Sequence, residues 1–176
     1  MVKYIRFLLI LLIISVSSIF IYKYRRQLPP PEAPTIIQEN GLPNKHLIKS
    51  VFVPQAPEKN WDQPWQDACE ESALLTVNYY YESKEADMAT MLADYQKIFS
   101  LESDLGWTHD ITLTQMATLS AELWNYQNRI IENPTISDFK QYLAKDIPII
   151  IPSNGKTLYK ENKHFKSGGP WYHNLV

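Results

Sequence analysis

The chain has 176 residues, 45% apolar and 20% charged, enough for one ordinary domain with segments to spare. Its formal net charge is −2, unevenly spread: the first 26 residues hold five of the 17 Lys and Arg and no Asp or Glu, which leaves 12 basic against 19 acidic residues beyond them. That balance argues against a nucleic-acid partner, which needs a basic face, and the single cysteine excludes an intrachain disulfide and a thiolate zinc cluster.

Residues 1–26 read as a membrane anchor or signal segment. Phe7 to Tyr22 carries no charge and is flanked by Lys3 and Arg6 before it and by Lys23, Arg25 and Arg26 after it. As a helix this run spans about 24 Å, slightly less than a bilayer core of about 30 Å, and snorkelling Lys and Arg make up the difference. A cleaved signal peptide competes with an uncleaved anchor. The anchor is adopted because Ile19, Phe20 and Ile21 continue the apolar run past the small residues Ser15 to Ser18. The expected location is the membrane, with a single-pass N-terminal anchor and the domain outside the cytoplasm; the alternative is secretion. Residues 27–48, with Pro29, Pro30, Pro31, Pro34, Gly41 and Pro43, read as a Pro-rich, semi-rigid linker.

The domain is expected over residues 49–176. Lys49 to Pro54 predicts a short strand, followed by a polar, Trp-containing loop from Gln55 to Asp67. The apolar spacing of Ala73, Leu74 and Val77 predicts a helix from Ala68 to Tyr81, with Asp67 as N-cap and Glu70 and Glu71 as first-turn acids. Further helices are predicted over Glu85 to Phe99, from Thr112 or Thr114 to about Tyr126, and over Ser137 to Lys145. Ile147 to Ile151 predicts an apolar strand, with Pro148 suited to its start or to an edge. A polar stretch from Pro152 to Gly169 follows, and Trp171 to Val176 opens another strand. Helices first and strands late indicate an α+β domain. A domain that stops on an apolar strand is expected to be incomplete at its C-terminus.

Cys69 falls at a predicted helix start, where backbone amides lower a thiol pKa and favour the nucleophilic thiolate. Glu70 and Glu71 oppose this, because nearby negative charge disfavours a thiolate, so an imidazole partner is needed. On spacing alone, a lone Cys is better explained as a small buried hydrophobe. His173, after a Gly-Gly-Pro turn and late in the chain, has the place of a base for an early helix-borne Cys; a packed core histidine is the plainer role. His109 is the rival base, or caps the helix that follows; His46 lies in the linker and His164 in a basic polar loop. Gln63 and Gln66, six and three residues before Cys69, are candidate oxyanion donors or ordinary loop amides. No metal or cofactor is expected: there is no His-x-x-x-His, no acidic calcium loop and no phosphate-binding glycine loop.

Three stretches carry a family resemblance. Val53-Pro54-Gln55-Ala56-Pro57, Asn60-Trp61 and Pro64-Trp65-Gln66-Asp67-Ala68-Cys69-Glu70-Glu71-Ser72-Ala73-Leu74-Leu75 resemble the start of peptidase C-thirty-nine-like domains, relatives of the bacteriocin-leader-processing peptidases in the papain-like cysteine peptidase clan. Leu143 to Pro152 resembles that domain's helix-to-strand step, and Gly168-Gly169-Pro170-Trp171-Tyr172-His173-Asn174-Leu175-Val176 resembles its histidine-bearing strand. The resemblance, from about residue 51 onward, implies a papain-like α+β fold with its N-terminal helices on an antiparallel sheet. It implies Cys69 as nucleophile, His173 as general base and Gln66 as oxyanion donor, although other papain-like enzymes' spacing points to Gln63. The family's third residue, an Asp or Asn on a later strand, is expected beyond Val176; Asn174 lies too close to His173 for that role.

The leading expectation is therefore thiol-dependent hydrolysis of a peptide bond in a peptide or protein substrate, outside the cytoplasm. The alternative is a catalytically inactive papain-like module that binds a peptide or cell-wall component. Transglutaminase-like acyl transfer uses the same Cys–His pair and differs in the acceptor.

Overall fold

The computed structural model describes residues 41–43, 45–108, 110–160 and 168–176. The segment read as a membrane anchor and most of the linker lie outside the described residues. No described helix is long and apolar enough to cross a membrane.

The first helix, α1 (Cys69–Tyr81), is the hub. Ala73, Leu74, Leu75 and Tyr79 are all buried along it, and α2 (Met88–Asp104), α3 (Leu113–Trp124) and the last strand all pack against it. The core around it adds Val53, Trp65, Met91, Tyr95, Ile98, Ile111, Met116 and Leu119. Trp65 seats the loop before α1 by edge-on packing against Tyr95 at 5.1 Å and Phe99 at 5.5 Å between ring centroids.

Residues 49–54, expected as a strand, do not form one. Their carbonyls meet side chains rather than a neighbouring strand: Ser72 Oγ donates to the Val53 carbonyl at 2.8 Å and the Tyr95 hydroxyl to that of Pro54 at 2.9 Å, while Ser50 Oγ donates to the Thr76 carbonyl at 3.0 Å. The segment is thereby laid along α1 with Val53 buried. The loop that follows contains two short 3₁₀ turns, Pro57–Lys59 and Trp65–Asp67. Asp67 does not cap α1: Ala68 holds the cap position without a side-chain bond, and Asp67 Oδ2 accepts from Gln63 Nε2 at 2.6 Å.

Helix α2 begins three residues later than expected because Asp87 is its cap, accepting the Thr90 amide at 2.8 Å, and it runs on to Asp104. Helix α3 starts behind Thr112, which forms a reciprocal capping box with Gln115, and ends at Asn125 in the left-handed conformation (φ 59°), so Tyr126 falls outside it. A second capping box, Thr135 with Asp138, starts α4 (Ile136–Leu143). Between α1 and α2, Asp94 gathers the Tyr79 hydroxyl at 2.9 Å, Lys84 Nζ at 2.5 Å and Lys97 Nζ at 2.7 Å.

Most of the expected strand 147–151 is irregular; the strand is β1 (Ile151–Ser153), paired antiparallel with β2 (His173–Leu175). The register opposes Ile151 to Leu175, Pro152 to Asn174 and Ser153 to His173. The polar stretch after β1 holds a short helix, α5 (Gly155–Leu158), capped by Asn154. Here the chain crosses itself closely. A Cβ on Gly155 would lie 2.5 Å from Pro170 Cδ, and one on Gly169, at φ +81°, would lie 2.2 Å from the Gly155 carbonyl oxygen. Only glycine fits either position, and the crossing delivers β2 to the first turn of α1. The result is a mixed fold, helices around a small antiparallel sheet.

Glu71 on α1 and Glu102 on α2 are fully buried. Burial, followed by the Glu102 carboxyl, raises the Glu71 pKa well above the ordinary carboxyl range, and a hydrogen bond between two carboxyls requires a proton on one of them. A carboxyl raised on folding contributes stability that is fully present below the unfolded pKa of about 4 and is lost as pH rises through the folded value. Glu71→Gln keeps a donor toward Glu102 and removes the titration. Thermal melts should show the variant more stable than the wild type above neutrality, with the gap closing in acid. A gap constant across pH would rule the shared proton out.

Candidate functional site around Cys69

The N-terminus of α1 and strand β2 meet at Cys69, which is buried at 9% exposure. Its Sγ–H donates to Glu70 Oε2 at 3.0 Å. From the other side, Asn174 Nδ2 donates to Sγ at 3.8 Å, and the Asn174 backbone amide also bonds the sulfur. Glu70 is fully buried and Asn174 nearly so; Glu70 Oε1 and Asn174 Oδ1 have no hydrogen-bond partner.

The electrostatics follow from this geometry. Burial, then the charge of Glu70 and the bond to it, push the Cys69 thiol up to about 12, against a smaller downward pull from the two Asn174 bonds. Burial likewise raises Glu70 to about 7; its bond from Cys69 lowers it, and Asp110 and Asp67 add repulsion. The helix-start position was expected to lower the thiol pKa, but burial and the adjacent carboxylate outweigh the helix amides. At neutral pH the proton sits on sulfur.

His173 begins β2, opposite Ser153, and is half-buried; burial lowers its pKa. Side chains alternate along a strand, so with Asn174 facing Cys69, His173 belongs to the other face. The structure thus brings the expected histidine's neighbour onto the sulfur. Gln66 is exposed, and its backbone carbonyl accepts from Gln55 Nε2 at 2.9 Å. Gln63 is exposed and committed to Asp67. His46, read as a linker residue, bonds Asp146 at 2.8 Å and ties the linker's end to the domain. His109 and His164 lie outside the described residues.

Asn174 and Gln55 are the residues the sequence reading undervalued. Asn174 is adjacent to His173, and the period of two along a strand places the two on opposite faces. Gln55, which also reaches the Trp65 carbonyl at 3.3 Å, gives no comparable sequence signal.

Beside the site, a cleft of about 560 Å³ opens between α1, α3, α4 and the 147–152 segment. Leu74, Val77, Met116, Phe139, Ile149 and Ile151 are among its walls; Cys69 is not. Ile151 pairs with Leu175, the residue after Asn174, so cleft and thiol flank the same strand pair. Among the described residues, no group of three or more His, Cys, Asp or Glu is placed to hold a metal. No family model, curated protein or solved structure matches the chain.

Asn174→Leu keeps the branched outline of the side chain, in a larger volume, while removing its donor to Sγ and the unpartnered Oδ1. The thiol pKa should rise further, so alkylation of Cys69 at about pH 9 should slow by a factor of a few, with melting unchanged or higher. Faster labelling in this variant would show that Asn174 shields the thiol rather than polarising it.

Proposed function

We propose that the domain is a papain-like cysteine peptidase that hydrolyses peptide bonds through an acyl-enzyme on Cys69, with His173 as base and Gln66 as oxyanion donor, held outside the cytoplasm by its N-terminal segment. The observation that carries this reading is the meeting of α1 and β2: a lone cysteine in the first turn of a helix, touched by the residue next to a late histidine. The order of parts, Cys helix first and histidine strand last, is the order the Trp65-to-Leu75 and Gly168-to-Val176 strings imply. The apolar cleft beside the strand pair is of the size that takes ligand groups, and suits an apolar side chain of a peptide.

In this mechanism Sγ attacks the carbonyl carbon as its proton passes to the His173 imidazole. The C–N bond then breaks as that proton moves to the leaving amine, and water hydrolyses the thioester. Reaching Sγ requires the imidazole to turn to the Asn174 side of β2. The second reading, an inactive module that binds a peptide or cell-wall component, is favoured by one observation: the thiol, pushed up to about 12, is held neutral.

Incubation with a peptide aldehyde or acyloxymethyl ketone library, followed by intact mass, separates the two. The peptidase reading expects one covalent adduct that is lost in Cys69→Ser and slowed about 100-fold or more in His173→Ala. Val77→Trp, which fills the cleft, should reduce adduct formation with bulky apolar peptides and leave alkylation by iodoacetamide unchanged. Peptide binding without any adduct, and with affinity unaltered in Cys69→Ser, would select the binding module.

A further inference from the structure

The cleft beside the strand pair has two unlike walls. One is aromatic: Tyr81 at the end of α1, Trp124 at the end of α3 and Tyr126 just beyond it form a line of rings. Ring centroids lie 5.4 Å apart between Tyr81 and Tyr126 and 5.9 Å apart between Trp124 and Tyr126. The other wall is the aliphatic segment 147–151. The Tyr126 hydroxyl donates to Asn78 Oδ1 at 2.9 Å, whereas the Tyr81 hydroxyl and the Trp124 indole N–H donate to no described residue. Tyr81 is 50% exposed, so ring faces and unused donors are offered together. Among the described lining residues the one cation is Arg129, which is exposed. The one anion, Asp138, is spent on capping α4, accepting from the Thr135 amide at 2.7 Å and its hydroxyl at 2.6 Å.

Rings with free donors suit a ligand that combines apolar bulk with bare acceptors. A proline-rich segment is such a ligand. Proline has no N–H, a polyproline II backbone makes no internal hydrogen bonds, and its rings pack on aromatic side chains while its carbonyls take the donors. A hydrocarbon chain would leave those donors unused, and a carboxylate beside the prolines would answer Arg129. The chain itself carries this combination in Leu28-Pro29-Pro30-Pro31-Glu32-Ala33-Pro34, outside the described residues. The end of the same linker is held at the cleft. His46 Nε2 bonds Asp146 Oδ1 at 2.8 Å, the Asp146 carbonyl accepts from the Tyr80 hydroxyl at 2.8 Å, and the next residue, Ile147, is already cleft wall. Pro34 stands twelve residues before His46, a reach of up to about 37 Å at about 3.1 Å per residue.

We propose that the cleft is the docking site of the chain's own segment Leu28–Pro34, with proline rings on Tyr81, Trp124 and Tyr126 and with Glu32 paired to Arg129. The contact is intramolecular and draws on an effective concentration in roughly the millimolar range, so it forms even where the same peptide binds weakly in trans. Docking ties the N-terminal segment to the domain and keeps other ligands, the apolar side chain of a peptide included, out of the cleft until it is displaced.

The test uses the full chain in detergent and a fluorescein-labelled synthetic peptide of residues 27–36, read by anisotropy. No electrophile is present, so the outcome does not depend on whether Cys69 is a nucleophile. With Pro29, Pro30, Pro31 and Pro34 all replaced by Ser, the cleft is left open and the peptide should bind. To the wild type, whose own segment competes, it should bind about tenfold or more weakly. Arg129→Glu in the serine chain, a change at an exposed position, should weaken the peptide by about two- to fivefold, and a peptide carrying Glu32→Arg should recover that loss. Equal binding to the wild type and the serine chain, or binding to neither, would overturn the docking. A loss in Arg129→Glu that the charge-swapped peptide does not recover would overturn its pairing with Glu32.

Discussion

Two adjacent carboxyl groups buried in the first turn of α1 are the constraint around which the rest of the structure is arranged. Raising Glu70 from 4.5 to about 7 corresponds to a cost on the order of 3 kcal/mol once pH exceeds the folded value, and Glu71, opposite Glu102, adds to it in the same direction. A domain whose whole margin is about 5–15 kcal/mol keeps such groups only where the surroundings hold them in place. Here the surroundings are the core itself: Trp65 packs edge-on against Tyr95 and Phe99 at the entry to α1, and Leu75, Tyr79, Ile98 and Leu119 close the helix in. Apolar burial thus fixes the position of the helix, and the helix start carries Cys69, Glu70 and Glu71 into a place water does not reach.

The second dependency is on the late crossing that brings β2 back to α1. β1 and β2 are three residues each and share a ladder containing Pro152, which has no amide to donate, so the pairing alone is weak. What holds β2 is the interlocked contact of Gly155, Gly169 and Pro170, where the backbones approach too closely for any side chain. The Asn174 bonds to Cys69 then act as the inner end of the same clamp. Thiol chemistry and the architecture of the sheet are in this way one problem: whatever displaces the crossing also removes the donors from the sulfur.

The helices were legible in the sequence because their signals are local. The spacing of Ala73, Leu74 and Val77 marks α1, and Thr112 and Thr135 mark the starts of α3 and α4 through bonds to residues three positions away. Elsewhere a distant partner decides the local structure. Val53 and Pro54 satisfy their carbonyls on Ser72 and Tyr95, 19 and 41 residues on, so a run of strand-like residues never joins a sheet. Asp67 has the chemistry of a cap but is bonded to Gln63, and the cap position falls to Ala68. Glu70 and Glu71 look like ordinary first-turn acids, whose usual role is to face solvent and complement the helix dipole; burial inverts that role, and nothing local announces it. Cys69 was found from its string of neighbours, whereas the residue that touches it, Asn174, lies 105 positions away.

The sequence string and the site's electrostatics pull the functional reading in different directions. A nucleophilic thiol needs a thiolate, and a thiol bonded to a buried carboxylate is one of the least ionisable arrangements a protein can build. Were the thiol only a core-filling group, an apolar neighbour would stabilise the fold better, because Glu70 destabilises it at neutral pH while its second oxygen finds no partner. An alanine or leucine there would spare the fold that loss. A carboxyl raised to about 7 beside the only cysteine is therefore poor design for a purely structural site. The Asn174 donors, aimed at the sulfur from β2, pull the thiol the other way and are outweighed by burial and by Glu70.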